Sequence, residues 1–307
     1  MNSRIAFTSC CRFEAFNHQP QWDEISNTNP DYLFLLGDQI YMDYGIRLFS
    51  KEWNGRPKKY SESEFEAIME SKYYNQWNEP HFKALFDRLN ANNKVHGIWD
   101  DHDFAWNNAV GSDVSAEKKE ISLKIFKKYF CLNDTNSTPG EIYRTIDTPL
   151  AKVIFLDVRS HAVHYQLPNS PSDSALLGQK QRDFLKANLL ASHDKPYTII
   201  CSGITLRFGE ENWSNYEQDF NQLISYIKQS QKPVIFLAGD IHENKFVGPS
   251  EECPCYEIVS SGLAINYLGL GIDFDDRHNW GLLTLNDQGG SNVQLFSKKS
   301  SKTFDIE

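Results

Sequence analysis

Apolar residues in this chain gather in short runs, and several of these runs end where residues that bind metals or anions begin. Residues 4–7 lead into Thr8, Ser9, Cys10 and Cys11, and residues 32–36 lead into Gly37, Asp38 and, three positions on, Tyr41. Residues 94–99 meet Asp100, Asp101, His102 and Asp103. Residues 152–156 meet Asp157 and Arg159, and residues 233–238 meet Gly239, Asp240 and His242. An apolar run of this length, closed by glycine or a polar cluster, reads as a strand buried on both faces inside a parallel sheet. Open α/β sheets bind their ligands at the carboxyl edge of such strands. Structural aspartates scatter among turns and helix starts, so their repeated placement behind buried strands predicts a metal site.

Between the strands the period changes to that of helices. A short helix is expected over residues 21–27, closed by a turn at Asn29-Pro30-Asp31. Ser61, Glu62 and Glu64 suit an N-cap and first turn, and Phe65, Ile68 and Met69 then supply an i, i+3, i+4 face. A second helix follows Pro80, with Phe82, Leu85, Phe86 and Leu89 on one stripe. Together they form a helical insert over residues 52–90, expected to cover one side of the site. Its aromatics Trp53, Tyr73, Tyr74 and Trp77 are compatible with packing or with a pocket wall. Further helices are expected over 113–131, 179–191 and 213–229, a hairpin from 142–146 to the strand at 152, and strands at 197–201, 256–260, 280–285 and 292–296. No fixed-period repeat, low-complexity segment or long linker divides the chain, so residues 1–307 are expected to form one domain.

Composition narrows the function. Hydrophobic residues at 40% allow a sizeable core. A net charge of −10 argues against a nucleic-acid surface, which needs clustered Lys and Arg, but leaves a small anionic substrate open. No apolar run reaches the roughly 18 residues of a membrane span. The first strand begins almost at once without an export signal, so the expected compartment is the cytoplasm, or the periplasm or exterior if a leader was removed. The six cysteines read as free thiols, since Cys253-Pro-Cys255 has neither zinc-knuckle nor thioredoxin spacing. A serine hydrolase fits poorly, because no Gly-x-Ser-x-Gly elbow is present.

Cys10, Asp38, Tyr41, Asn107, Asp240 and His242 together offer sulfur, oxygen and nitrogen donors to a pair of cations. Such a pair needs a shared carboxylate, and Asp38 behind a central strand suits that bridge. Asp240 and His242, one residue apart, can reach adjacent metals. Thiolate and phenolate favour a trivalent or borderline ion, whereas Asn and Asp oxygens suit Ca²⁺ or Mg²⁺. Taken singly, Cys10 and Tyr41 are also compatible with core packing and His242 with a hydrogen-bonded structural histidine.

The segments Phe7-Thr-Ser-Cys10, Gly37-Asp-Gln-Ile-Tyr41, Trp99-Asp-Asp-His-Asp-Phe-Ala-Trp-Asn107, Leu156-Asp-Val-Arg-Ser160 and Ala238-Gly-Asp-Ile-His242 follow one another in a recognisable order. In this the chain resembles the PhoD-like (alkaline phosphatase D) branch of the calcineurin-like metallophosphatases, although Thr8 stands where the family usually has glycine. The resemblance implies an α/β (α+β) fold, a four-layer αββα sandwich with a helical insertion. It implies iron(III) on Cys10, Asp38, Tyr41 and His242, and calcium on Asp38, Asn107 and Asp240, with other divalent ions possible. Cys11 beside Cys10 leaves the choice of thiol open. Arg159 matches the arginine that meets the substrate phosphate, and His102 either bonds the leaving group or orients Asp100 and Asp101. Asp157 is expected to support the Arg159 loop. The implied reaction is hydrolysis of a small phosphate mono- or diester by a metal-activated hydroxide. The alternatives are a phospholipase-like phosphodiesterase on the same fold and a non-catalytic metal-dependent binding protein.

Overall fold

The computed structural model describes residues 1–43, 55–132, 139–164, 175–265, 278–298 and 300–307. Strand β1 (Asn2–Thr8) leads through α1 (Gln21–Asn27) to β2 (Tyr32–Leu36), in which every residue is buried. Helix α2 (Glu62–Trp77) opens on a capping box. The Ser61 hydroxyl accepts the Glu64 N–H, and the Glu64 carboxylate accepts the Ser61 N–H. Helix α3 (Pro80–Asn90) is capped by the Glu79 carboxylate, with proline at its first position, where no N–H is needed. Strand β3 (Val95–Ile98) runs directly into the single turn α4 (Asp101–Phe104), and α5 (Ala116–Tyr129) follows.

The second half begins with the hairpin β4 (Arg144–Asp147) and β5 (Ala151–Phe155), then α6 (Gln179–Leu190) and β6 (Tyr197–Ser202). It continues through α7 (Glu217–Gln229), β7 (Val234–Ala238), β8 (Asn244–Val247) and β9 (Tyr256–Ser260). Strands β10 (Asn279–Asn286), β11 (Ser291–Ser297) and β12 (Ser300–Ile306) close the chain.

Two six-stranded sheets result, in the orders β12-β11-β10-β1-β2-β3 and β4-β5-β6-β7-β9-β8. In the first, β1, β2 and β3 run parallel and β10, β11 and β12 are added antiparallel; in the second, β5, β6, β7 and β9 run parallel between antiparallel edge strands β4 and β8. Alternation along the strands builds the layers. Phe34 and Leu36 point from β2 at the other sheet, meeting a cluster that includes Phe155, Ile199, Cys201, Ile235 and Leu237. Leu33 and Leu35 point the other way, into a cluster with Phe65, Met69, Phe82 and Phe126 of the helices. Helices α6 and α7 cover the second sheet through Leu185, Leu189, Leu223 and Ile227. Each such side chain contributes roughly 1.5–3 kcal/mol by leaving water. The expected four-layer αββα sandwich is the observed one.

Strands β8 and β12 do not stand out in the hydrophobic pattern. Every residue of β8 is only half-buried, and β12 is mostly exposed and polar. Tyr73 stacks on Tyr129 and Trp77 meets five aromatic rings, so these two pack the helical layer, whereas Tyr74 is 60% exposed. Trp53 lies outside the described residues. The six cysteines are all free, Cys253 and Cys255 lying with their sulfurs 3.6 Å apart. Among the described residues no helix is long and apolar enough to cross a membrane.

Candidate metal centre

The carboxyl ends of β1, β2, β3 and β7 meet at one edge of the sandwich. Close approach there depends on glycine. A Cβ on Gly37 would lie 2.5 Å from Cβ of Asp100, and one on Gly239 would lie 2.4 Å from the carbonyl oxygen of Leu36. The turns that follow are tight enough to force left-handed backbone at Cys10 (φ 60°), Asp38 (φ 55°), Asp240 (φ 75°) and His242 (φ 57°). That conformation costs a non-glycine residue roughly 1–2 kcal/mol. It is held by cross-strand bonds, Cys11 N–H to the Asp38 carbonyl at 2.8 Å and Gly239 N–H to the Gly203 carbonyl at 3.0 Å.

Four of the expected ligands converge here. Sγ of Cys10 lies 3.6 Å from Oδ2 of Asp38, and the Tyr41 hydroxyl lies 3.3 Å from the same oxygen and 3.5 Å from Nε2 of His242. Ligand atoms of Cys10, Asp38 and His242 all fall within 4.8 Å of one another. Cys10 therefore faces the cluster, while Cys11 turns into the helical-layer core. A second group, Asp38, Asp101 and His102, is equally close-set and shares Asp38 with the first. Asp240 stands near enough to Asp100 and Asp101 that their charges help to raise its carboxyl, after burial as the main cause.

Asn107 is exposed at the rim of the cluster: its amide donates to Oδ1 of Asn108 at 2.8 Å, and its backbone N–H donates at 3.1 Å to Oδ2 of Asp43, the carboxylate that also holds His102. Asp101 stands beside Asp38. Its position one residue into α4 follows from how early that turn starts, which the hydrophobic pattern does not reveal. Arg159 is 2% exposed and anchors the acidic side: Nε donates to Asp100 at 2.6 Å and Nη1 to Glu211 at 2.8 Å. Its Nη2 has no hydrogen-bond partner among the described residues and lies 3.9 Å from Oδ1 of Asp101. Asp157 accepts the Arg159 and Ser160 N–H groups and the Trp99 indole, and so supports the loop. His102 is held by Asp43 through Nδ1 at 2.7 Å. Glu211 carries no local sequence signal and reaches the site from the loop between β6 and α7, whereas Asp43 follows Tyr41 by two residues.

Electrostatics test whether cations fit. Burial first, then Asp101, drives the Asp38 carboxyl well above the usual range. Burial pushes Asp100 up to about 7 despite Arg159 beside it. Burial also acts to raise Asp101, but His102 and Arg159 outweigh it and leave that group low. Cys10 and Tyr41 are raised by burial and by Asp38. Burial opposes the charge on His102, yet Asp101 and Asp43 hold its pKa high. Asp38, Asp100, Asp101, Asp240 and Glu211 are thus gathered around Arg159 and His102, and among the described residues Oδ1 of both Asp38 and Asp101 is buried without a hydrogen bond. Buried carboxylate oxygens left orphaned in this way suit bound cations.

Fold and donor set together define a calcineurin-like metallophosphatase. The chain matches the PhoD-like phosphatase family over residues 5–266, and it belongs to that family. A structure of PhoD covers 100% of this chain and 72% of its own at TM-score 0.69 and 16% identity. The purple acid phosphatase PPD1 of yellow lupin (Lupinus luteus) seeds gives TM-score 0.60 at 12% identity over 99% of this chain and 53% of its own. A dimetal phosphatase from Danio rerio gives TM-score 0.56 at 11% identity over 99% of both chains. No curated protein matches by sequence. The protein is a metal-dependent phosphoesterase, a phosphoric ester hydrolase, and its family implies a dinuclear metal site and a small phosphate-ester substrate.

Proposed function

We propose that the protein hydrolyses phosphate mono- or diesters at two cations bridged by Asp38. The supporting observation is that Asp38 belongs to both ligand groups and keeps a buried, unpaired oxygen. Cys10, Tyr41 and His242 would hold the ion on one side, a donor set that suits iron(III). Asp101 and Asp240 would hold the other, which as an oxygen-rich position suits calcium or a similar hard ion. In this reading Asp101 takes the place expected of Asn107. Bound there, the cations supply Lewis-acid activation of water and neutralise charge on the phosphoryl oxygens.

The remaining work falls to this chain's own side chains. Asp100 and Glu211 fix Arg159 so that Nη2 is left for negative charge growing on the phosphoryl group. Asp43 fixes the His102 ring, which lies against Tyr41 at 4.2 Å between centroids and keeps both ligand groups in register. Hydrolysis breaks the phosphorus–oxygen bond to the leaving alcohol, and water supplies the new oxygen.

The test is turnover of p-nitrophenyl phosphate and bis(p-nitrophenyl) phosphate by metal-loaded protein. At least one should be hydrolysed, with activity lost to chelator and restored by metal. Fully loaded protein that turns over neither would overturn the reading.

A further inference from the structure

We infer that the helical layer carries a separate zinc site, formed by His18, Glu79 and His81 where the segment before α1 meets the start of α3. Their ligand atoms lie within 4.8 Å of one another. Ligands around a tetrahedral zinc stand about 3.3–3.5 Å apart, given bonds of about 2.0–2.1 Å, so a small closing movement completes the geometry. His18 is exposed and can make that movement without disturbing the core. The two imidazole rings already stand 4.8 Å apart between centroids at an interplanar angle of 65°. Two imidazoles sharing one tetrahedral ion would lie at about 5 Å.

The surroundings are built for a fixed ligand set. Asp23 Oδ2 bonds Nδ1 of His81 at 2.7 Å, which fixes the ring and leaves Nε2 as the coordinating atom. This is the carboxylate–imidazole arrangement that strengthens metal-binding histidines. Glu79 is 1% exposed, and each of its oxygens accepts one backbone N–H, from Gln19 at 3.0 Å and Phe82 at 2.7 Å. Each oxygen keeps a further lone pair. The segment bearing His18 is tied down at its neighbour: Gln19 is fully buried and bonded to Gln76, Trp22 and Phe16. Two imidazoles and one carboxylate suit zinc and leave a fourth position to water. None of these residues belongs to the catalytic cluster. The ion would cross-link the segment before α1 to the start of α3, so its effect is on stability rather than on hydrolysis.

The experiment compares zinc content of the loaded full-length protein with that of His18→Ala/His81→Ala after dialysis. The wild type should retain one more zinc per chain, and zinc should raise its thermal midpoint but not that of the double variant. Asp23→Asn, which keeps all three ligands, should weaken zinc at this site about 10- to 100-fold. Hydrolysis of a generic phosphoester should be unchanged in both variants, which shows that they fold and keeps this test separate from that of the catalytic reading. Should the double variant misfold, His18→Gln at the exposed ligand replaces it. Equal zinc content and equal thermal shifts in wild type and ligand variant would overturn the inference.

Discussion

Asp38 serves two ligand groups with one side chain, so changing it separates bridging from mere proximity. Asp38→Asn keeps the size and removes the charge that two cations would share. Both metals should be lost together and turnover should fall by at least about 10²-fold, a barrier increase of roughly 2.7 kcal/mol. Retention of two metals per chain would contradict the bridge. Arg159 asks for a gentler change, because deleting it would strand Asp100 and Glu211 in the interior at a cost of about 3–5 kcal/mol. Arg159→Lys preserves the charge and removes the planar fork whose Nη2 is unpartnered. Inhibition by phosphate or vanadate should weaken about tenfold while metal content stays the same. Unchanged inhibition constants would take Arg159 away from the phosphoryl group.

At the scale of elements, the strand-to-loop junctions make the site. A Cβ on Gly239 would run into the carbonyl of Leu36, at the end of β2, and the hydroxyl of Ser9, just past β1. Gly239→Ala would push the sheet edges apart and cost about 1–3 kcal/mol, as overpacking does. Denaturant unfolding should show that loss and kcat should fall with it, because Asp240 and His242 follow directly. Wild-type stability would show that the edges are not in register through this contact. These junctions were also where the sequence was easiest to read. An apolar run ending in Gly-Asp announces both the strand and the acid behind it, which makes Asp38 and Asp240, with Tyr41 and His242 just beyond them, legible in the sequence. Strands β8 and β12 were not legible, since half-buried and polar edge strands lack a hydrophobic signature. Asp101 beside Asp38 has no such signature, because the single turn α4 sets which side chain faces Asp38. Glu211 was missed because its partner, Arg159, is 52 residues away in the chain.

For the molecule as a whole, the acidic centre links metal to folding. Asp38, Asp100 and Asp240 all have carboxyl groups raised by burial, Asp100 to about 7. A carboxyl whose folded pKa exceeds its unfolded value binds more protons in the folded state. It therefore adds stability below the unfolded pKa of about 4, and that stability is lost as pH rises through the folded pKa. Metal-free protein should become less stable between about pH 4 and pH 7, whereas bound cations favour the ionised carboxylates and remove this penalty. The gap in thermal midpoint between metal-loaded and chelator-treated protein should widen from about pH 5 to pH 8. A gap that is constant or narrows would mean that these acids do not face bound cations.

The central claim is settled most directly by anomalous X-ray scattering from crystals of protein purified without chelator. The account predicts two metal peaks at the carboxyl edge of β1, β2, β3 and β7, both within bonding distance of Asp38, one also contacting Cys10, Tyr41 and His242 and the other Asp101 or Asp240. A single ion there, or a second ion there that makes no contact with Asp38, would contradict it.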